Sequence, residues 1–189
     1  MYSWGNDTNA WKNPGTYDFG SARRTYLDKA EEVAAKEGPR TYVASITPKM
    51  ALVDPKGRNI ISDSENPILV LVDGTQSMQD WPAKIFDRLP LMYQTLTKYR
   101  KDVEISFSVI GDANSISGAC DKWPVQVGNF AKGPGESPKG KTLDDYLKAL
   151  TPEGGGGPGI REGYELWAYF LQESCKTPKA KSPFVITQV

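Results

Sequence analysis

Histidine is absent from this chain of 189 residues. Without an imidazole group, neither Ser-His-Asp nor Cys-His catalysis is available, and no histidine can serve as a zinc ligand. Cysteine is scarce as well, with only Cys120 and Cys175 present, so the sequence does not favour a structural zinc site. Any metal that the protein binds is therefore expected to be a hard cation held by oxygen atoms.

The sequence also lacks an excess of either charge, because 23 lysines and arginines balance 23 aspartates and glutamates. No basic run is present, which argues against nucleic acid or an anionic membrane surface as a partner. No apolar run approaches the ~20 residues of a membrane-spanning helix, and the N-terminal residues have no apolar core of the signal-peptide kind. We therefore expect a cytoplasmic protein with two reduced thiols, while a single disulfide between them stays open.

The apolar pattern is typical of an α/β fold. A continuous aliphatic run at residues 68–72 predicts a strand that is buried on both faces. Further strands are expected at residues 103–110, 125–130 and 183–189, with helical patterns between them. We predict a doubly wound, mostly parallel sheet with helices on both faces. In it, 68–72 lies between 103–110 and 183–189, and 125–130 forms the edge.

Residues 1–64 are expected to form an N-terminal extension with one helix, and residues 65–189 the main domain. The helical segment begins near Ser21 and ends before the pair Gly38 and Pro39. Four residues of its apolar stripe, namely Tyr26, Leu27, Ala30 and Val33, should dock on the main domain, since an isolated helix of this length is only marginally stable in water. The stripe consists of Tyr26, Leu27, Ala30, Val33 and Ala34.

Polar side chains follow the first buried strand at alternate positions. Asp73, Thr75 and Ser77 lie in the segment VDGTQSM, and a curved loop can direct alternate side chains toward one point. Ligands of open α/β sheets bind at the carboxyl ends of the strands, and one carboxylate with two hydroxyls suits Mg²⁺. The competing interpretation is an ordinary turn followed by a helix cap, where the same residue types are common.

The same loop resembles the D-x-S-x-S signature of von Willebrand factor A domains, which forms their metal-ion-dependent adhesion site. Asp73, Thr75 and Ser77 match its three positions, with threonine in place of the first serine. The segments ISFSVIGDA (105–113) and GGGG…YEL (154–166) are similar to those of uncharacterised microbial members of the family. The resemblance therefore covers the chain from the start of the first strand onward.

This resemblance implies a module that binds a protein partner through Mg²⁺ (or Mn²⁺) and catalyses no reaction. An acidic side chain of the partner would complete the metal coordination. Intracellular members of the family often work beside AAA+ ATPases, so the resemblance also makes such an ATPase a candidate partner.

Two features depart from the family pattern. The family supplies a threonine from the loop before the third helix, whereas this chain has a glycine-rich segment there, with Glu162 as the nearest oxygen donor. The family also places an aspartate after the fourth strand, and VITQV contains none, so the resemblance implies a domain truncated after that strand. Asp112, at the expected end of the second strand, and Glu162 complete the predicted metal set. Otherwise Asp112 is a turn residue and Glu162 a solvated glutamate favoured by the helix dipole.

Two other functions stay open. The segment LVDGT resembles the start of phosphohydrolases of the haloacid dehalogenase type, in which Asp73 would be the nucleophile. That family needs a second aspartate two residues later as the general acid, and Thr75 stands at that position. The last alternative is a structural domain with a degenerate site that binds no metal.

Overall fold

The computed structural model describes residues 19–37, 57–75, 78, 81–112, 123–132, 140–152, 163–181 and 183–188. The helices in these ranges are α1 (Gly20–Glu37), α2 (Trp81–Phe86), α3 (Leu89–Tyr99), α4 (Leu143–Ala149) and α5 (Tyr164–Ser174). The strands are β1 (Ile60–Ile61), β2 (Asn66–Asp73), β3 (Val103–Ile110), β4 (Val125–Val127), β5 (Cys175–Lys176) and β6 (Phe184–Gln188). The α/β class is confirmed. None of the described helices combines the length and the apolar character that crossing a membrane requires.

Four strands form the main sheet in the order β4-β3-β2-β6. β2 is parallel to both of its neighbours, with Ile68 opposite Ile105 on one side and opposite Phe184 on the other. β4 is antiparallel to β3 and forms the edge. The edge suits Pro124, which precedes β4, because proline cannot donate a hydrogen bond to a neighbouring strand. This strand order is the one predicted from the sequence.

A second sheet pairs β1 with β5 in parallel, with Ile60 opposite Cys175. The Ser62 amide extends the pairing by donating to the carbonyl oxygen of Lys176 at 3.0 Å. Strands of two residues are too short to show any periodicity, so the sequence did not predict this pair. The pairing ties the segment before β2 to the end of α5.

Side chains of β2 point alternately to the two faces of the main sheet. Val70 and Val72 pack in a cluster to which α1, α2 and α4 contribute, whereas Leu71 packs in a separate cluster with Trp167 of α5. Because helices cover both faces, nearly all of the strand is buried. This burial agrees with the unbroken aliphatic run in the sequence.

Proline and threonine set two helix boundaries. Pro90 lies in the first turn of α3 and separates this helix from α2, as expected for a residue that has no amide hydrogen. Thr142 caps α4, because its hydroxyl accepts from the Asp145 amide at 3.2 Å and the Asp145 carboxylate accepts from the Thr142 amide at 2.9 Å. The spacing of Thr142 and Asp145 in the sequence predicts such a capping box at the start of a helix, and the structure confirms it.

Helix α1 docks on the main domain through its apolar side. Tyr26 is buried in the same cluster as Phe107, and its ring meets Phe86 edge-on with 5.7 Å between the centroids. Leu27 is partly buried against this cluster, so the predicted docking is confirmed at Tyr26 and Leu27. Ala34, which belongs to the stripe but was not among the residues predicted to dock, is exposed. The division of the chain after residue 64 stays a prediction.

Polar contacts hold the same helix in place. Lys29 Nζ donates to the carbonyl oxygens of Lys148 at 2.6 Å and Leu150 at 3.0 Å. These carbonyls lie at the C-terminal end of α4, where no further turn of helix supplies amide donors. Arg23 also pairs with Asp87, with 3.3 Å between Nε and Oδ2. The N-terminal helix is therefore bound to the domain by apolar and polar contacts together.

A polar network closes the amino ends of β2 and β3. Ser62 Oγ donates to the buried carboxylate of Glu104 at 2.5 Å. The Asp102 carboxylate accepts from the Glu65 amide at 2.5 Å and from Asn66 Nδ2 at 2.6 Å. These hydrogen bonds, the one from the Glu65 amide foremost, hold the pKa of Asp102 below its usual value. The network fixes where the two parallel strands begin.

We expect Tyr26→Ala to lower the free energy of unfolding by about 3 kcal/mol, because it empties the space of a buried ring. Tyr99→Ala is the matched control, since Tyr99 is 80% exposed, and should change stability by less than about 0.5 kcal/mol. Urea denaturation monitored by circular dichroism measures both. Equal effects of the two substitutions would contradict the docking of α1.

Asp102→Asn should destabilise the protein near neutral pH and have no effect in strong acid. Because the folded-state pKa of Asp102 is lowered, its stabilising contribution is present above the unfolded pKa of about 3.9. That contribution is lost as the pH falls through the folded-state value. Thermal melts of wild type and variant from about pH 7 down to about pH 2 give the test. A gap in melting temperature that stays constant over this range would refute the role of the carboxylate.

Candidate functional site

Asp73 is the last residue of β2 and the first predicted metal ligand. Its side chain is buried, with 5% exposure. Its Oδ1 accepts a hydrogen bond from the Thr75 amide at 2.7 Å, which is the arrangement of an Asx turn. The sequence favours this turn locally, because an aspartate can bond to the amide two residues later. The turn holds the carboxylate on the inside of the loop.

Gly74 allows this loop to pack closely against the neighbouring strand β3. Its amide donates to the Ile110 carbonyl at 2.8 Å. A Cβ at this position would lie 2.5 Å from Cγ1 of Val109 and 3.3 Å from the Ile110 oxygen. Only glycine therefore allows the backbone to approach β3 so closely, and this approach holds Asp73 near the end of that strand.

Thr75 is the second predicted ligand in the loop, and it is 3% exposed. Its carbonyl accepts from the Met78 amide at 3.0 Å. Ser77 lies outside the described residues, so its role as a ligand stays a prediction. Two of the three loop positions, Asp73 and Thr75, are thus buried in one turn at the end of the central strand.

The position of this turn in the sheet favours ligand binding. From β2 the chain crosses through α2 and α3 to β3 on one side, whereas β6, much later in the chain, lies on the other side. The strand order therefore changes direction at β2. In open α/β sheets, ligands bind beyond the carboxyl ends of the strands at such a change of direction. Asp73 and Thr75 lie at that point.

Asp112 lies near the same end of the sheet. β2 and β3 run in parallel with Asp73 opposite Ile110, so Asp112, two residues past β3, follows the neighbouring strand at its carboxyl end. Its side chain is 4% exposed. The structure therefore places Asp73 and Asp112 at adjacent strand ends, where the sequence predicted them.

The start of α5 packs against the loop that carries Asp112. Gly111 donates to the Pro124 carbonyl at 3.0 Å and accepts from the Gly163 amide at 2.8 Å. A Cβ on Gly163 would lie 2.9 Å from the Pro124 oxygen, so the contact requires glycine. Glu162 itself lies outside the described residues. Its neighbour Gly163 nevertheless binds Gly111, the neighbour of Asp112, and no pattern in the sequence predicts this contact.

Tyr26 brings helix α1 into the electrostatic surroundings of the site. Burial raises the pKa of the Tyr26 phenol, and the negative charge of Asp73 raises it further. The phenol is therefore neutral at physiological pH and lies within range of the Asp73 charge. The sequence identified Tyr26 only as part of a docking stripe, since no local pattern relates residue 26 to residue 73.

The oxygen donors at these strand ends fit a hard cation. Asp73 and Asp112 provide carboxylates and Thr75 a hydroxyl, which are ligand types that Mg²⁺ accepts. Within the described ranges, no lysine or arginine forms an ion pair with Asp73. A buried carboxylate without a cationic partner is unfavourable, so a bound cation would offset that cost.

Acidic side chains alone do not complete a metal site in the described part of the chain. There, no group of three or more cysteine, aspartate and glutamate side chains could hold a metal ion. Mg²⁺ usually keeps several waters and takes only one or two carboxylates from a protein. Hydroxyl groups, water or a partner would therefore have to supply the remaining ligands.

Comparison with known proteins finds no similar protein. No protein-family model matches the chain, and neither a curated protein nor a solved structure matches it. The likeness to von Willebrand factor A domains accordingly rests on the motif at Asp73, Thr75 and Ser77 and on the two longer segments that resemble the family. The candidate site is defined by the chain's own residues.

Proposed function

We propose that this chain is a binding module of the von Willebrand factor A type, which uses Mg²⁺ or Mn²⁺ to capture a carboxylate of a protein partner. The observation that carries the proposal is the buried Asp73 carboxylate at the carboxyl end of the central strand. It lies where the strand order changes direction and has no ion pair among the described residues. The doubly wound arrangement of that family is part of the proposal.

The chain's own residues would orient the coordination sphere. The Asx turn fixes one oxygen of Asp73 on the Thr75 amide, which leaves the rest of the carboxylate for a cation. Thr75 adds a neutral ligand, and Ser77, Asp112 and Glu162 are the predicted further donors. A bound divalent ion would attract an acidic side chain of the partner, and this side chain would complete the coordination sphere.

The proposed module catalyses no reaction. Phosphohydrolysis through Asp73 would need an acid two residues later to protonate the leaving group. Thr75 occupies that position, and the chain has no histidine to replace it. The oxygen donors at the site are therefore better suited to binding than to proton transfer.

The proposed setting is the cytoplasm, beside an AAA+ ATPase as a candidate partner. Cys175, which is half-buried, has a free thiol, and burial raises its pKa. An unreactive free thiol is compatible with a reducing compartment. The ATPase enters the proposal through the family resemblance alone.

Asp73→Ala should weaken Mn²⁺ binding at least about tenfold, because it removes the charged ligand at the site. Thr75→Val should weaken binding less, since it deletes one neutral ligand and keeps the side-chain shape. Asp63→Ala is a matched control that removes an aspartate from the surface, where its side chain is 64% exposed. Calorimetric titration with Mn²⁺ measures all three, and circular dichroism checks the fold. Equal affinity of wild type and Asp73→Ala for Mn²⁺ would contradict the proposal and favour a structural domain whose degenerate site binds no metal.

Partner capture should depend on the metal, because the binding of cation and acidic side chain is thermodynamically linked. In the presence of magnesium, wild type and Asp63→Ala should recover the same protein from cell extract. Wild type with a chelator, and Asp73→Ala with magnesium, should not recover it. Recovery that ignores the chelator would contradict the proposal. Metal-dependent phosphate release from p-nitrophenyl phosphate that is abolished by Asp73→Asn would instead assign the chain to the phosphohydrolases.

A further inference from the structure

We propose that Trp81 is a specificity-determining residue of the candidate metal site and favours a partner carboxylate that has apolar side chains beside it. This inference rests on the proposed function, since the metal would bind the carboxylate and Trp81 the apolar neighbour. Trp81 is the first residue of α2 and is 45% exposed. Single exposed apolar residues are common on protein surfaces, so the position of Trp81 is the decisive observation.

Trp81 lies at the same end of the main sheet as the candidate metal site. β2 ends at Asp73, and the chain enters α2 at Trp81. The Met78 amide donates to the Thr75 carbonyl at 3.0 Å, and Trp81 follows Met78 by three residues. Because neighbouring Cα atoms are about 3.8 Å apart, the Cα atom of Trp81 lies within about 11 Å of that of Met78. One short segment of a partner can therefore reach both the metal loop and Trp81.

The hydrophobic core fixes the position of Trp81. Pro82, Ala83 and Phe86 of the same helix are buried, so the first turn of α2 is anchored to the domain. The Lys84 ammonium lies over the Trp81 ring, 5.2 Å from its centroid, and this contact restricts the orientation of the ring. A side chain that is already ordered loses little conformational entropy on binding. Trp81 is therefore suited to accept an apolar group of a partner.

Tyr99 provides a comparison within the same molecule. It is 80% exposed and is the last residue of α3, four residues before β3 begins at Val103. Tyr99 thus lies near the amino ends of the strands, at the opposite end of the sheet from Asp73. Of these two exposed aromatic residues, only Trp81 is close to the candidate metal site.

The position of Trp81 defines the chemistry of the partner segment. A bound divalent cation would attract the carboxylate, and the uncovered part of the Trp81 ring offers apolar area, as tryptophan often does at interfaces. In an extended segment, a residue two positions from the acidic residue lies about 7 Å away along the chain. An apolar side chain at that position has the reach to contact Trp81.

Three peptides test this preference with the full chain and Mn²⁺ present. The first contains an aspartate with a leucine two positions away on each side, the second has serine in place of both leucines, and the third has asparagine in place of the aspartate. By calorimetric titration, we expect the leucine peptide to bind at least about fivefold more tightly than the serine peptide, and the asparagine peptide not to bind. Equal affinity of wild type for the leucine and serine peptides would overturn the proposal.

Variants assign the preference to Trp81. Trp81→Ala should bind the leucine peptide only as tightly as the serine peptide, whereas Trp81→Phe keeps an aromatic ring and should retain most of the preference. Tyr99→Ala removes an exposed ring at the opposite end of the sheet and should bind both peptides as wild type does. If Trp81→Ala melts early, Trp81→Gln takes its place, because glutamine fills more of the space of the ring. A preference for leucine that survives the loss of the ring would refute the role of Trp81.

Titration with Mn²⁺ alone separates this inference from the proposed function. Trp81→Ala should bind Mn²⁺ as tightly as wild type, because it removes no ligand of the metal. Failure of wild type to bind Mn²⁺ would overturn the proposed function, and the role of Trp81 with it. Binding of Mn²⁺ without any preference for the leucine peptide would overturn the role of Trp81 alone.

Discussion

The fold depends on the burial of one strand on both of its faces. β2 has parallel neighbours on each side and apolar side chains directed to each face. A strand of this kind is stable only where helices cover both faces of the sheet. The connection through α2 and α3 and the packing of α1, α4 and α5 all meet this requirement. The aliphatic residues of β2 therefore determine the layers of the domain as well as the strand itself.

The burial of β2 also determines where polar side chains that could bind a ligand are found. The middle of β2 carries only aliphatic side chains, so the functional groups that follow it come at its carboxyl end, with Asp73 and Thr75. The parallel direction of β3 brings Asp112 to the same end, and the contact between Gly111 and Gly163 draws in the start of α5. The metal site that we propose is thus a consequence of strand direction and of close backbone contacts at Gly74 and Gly163.

Local patterns predicted the features that depend on local physics. The aliphatic run identified β2 as central, proline identified the break before α3, and the pair Thr142 and Asp145 identified the start of α4. Strand direction, which follows from the alternation of strands and helices, predicted the place of Asp112. Contacts between particular residues of distant segments were missed. No spacing in the sequence relates Ile60 to Cys175 or Tyr26 to Asp73, so only the folded chain reveals these contacts.

The aromatic contacts of α1 bear on where this domain can be cut. Tyr26 meets Phe86, and Phe86 meets Phe107 of β3 at 5.5 Å between centroids, so these rings connect the N-terminal helix to the middle of the sheet. A fragment that starts at residue 65 would leave Phe86 uncovered beside α2, a helix of only six residues. Such a fragment would carry Asp73 and Thr75, the residues of the proposed metal site, on a destabilised support and would expose apolar surface prone to aggregation. Expression and transfer of the module to other proteins therefore require α1, although it precedes the sheet in the chain.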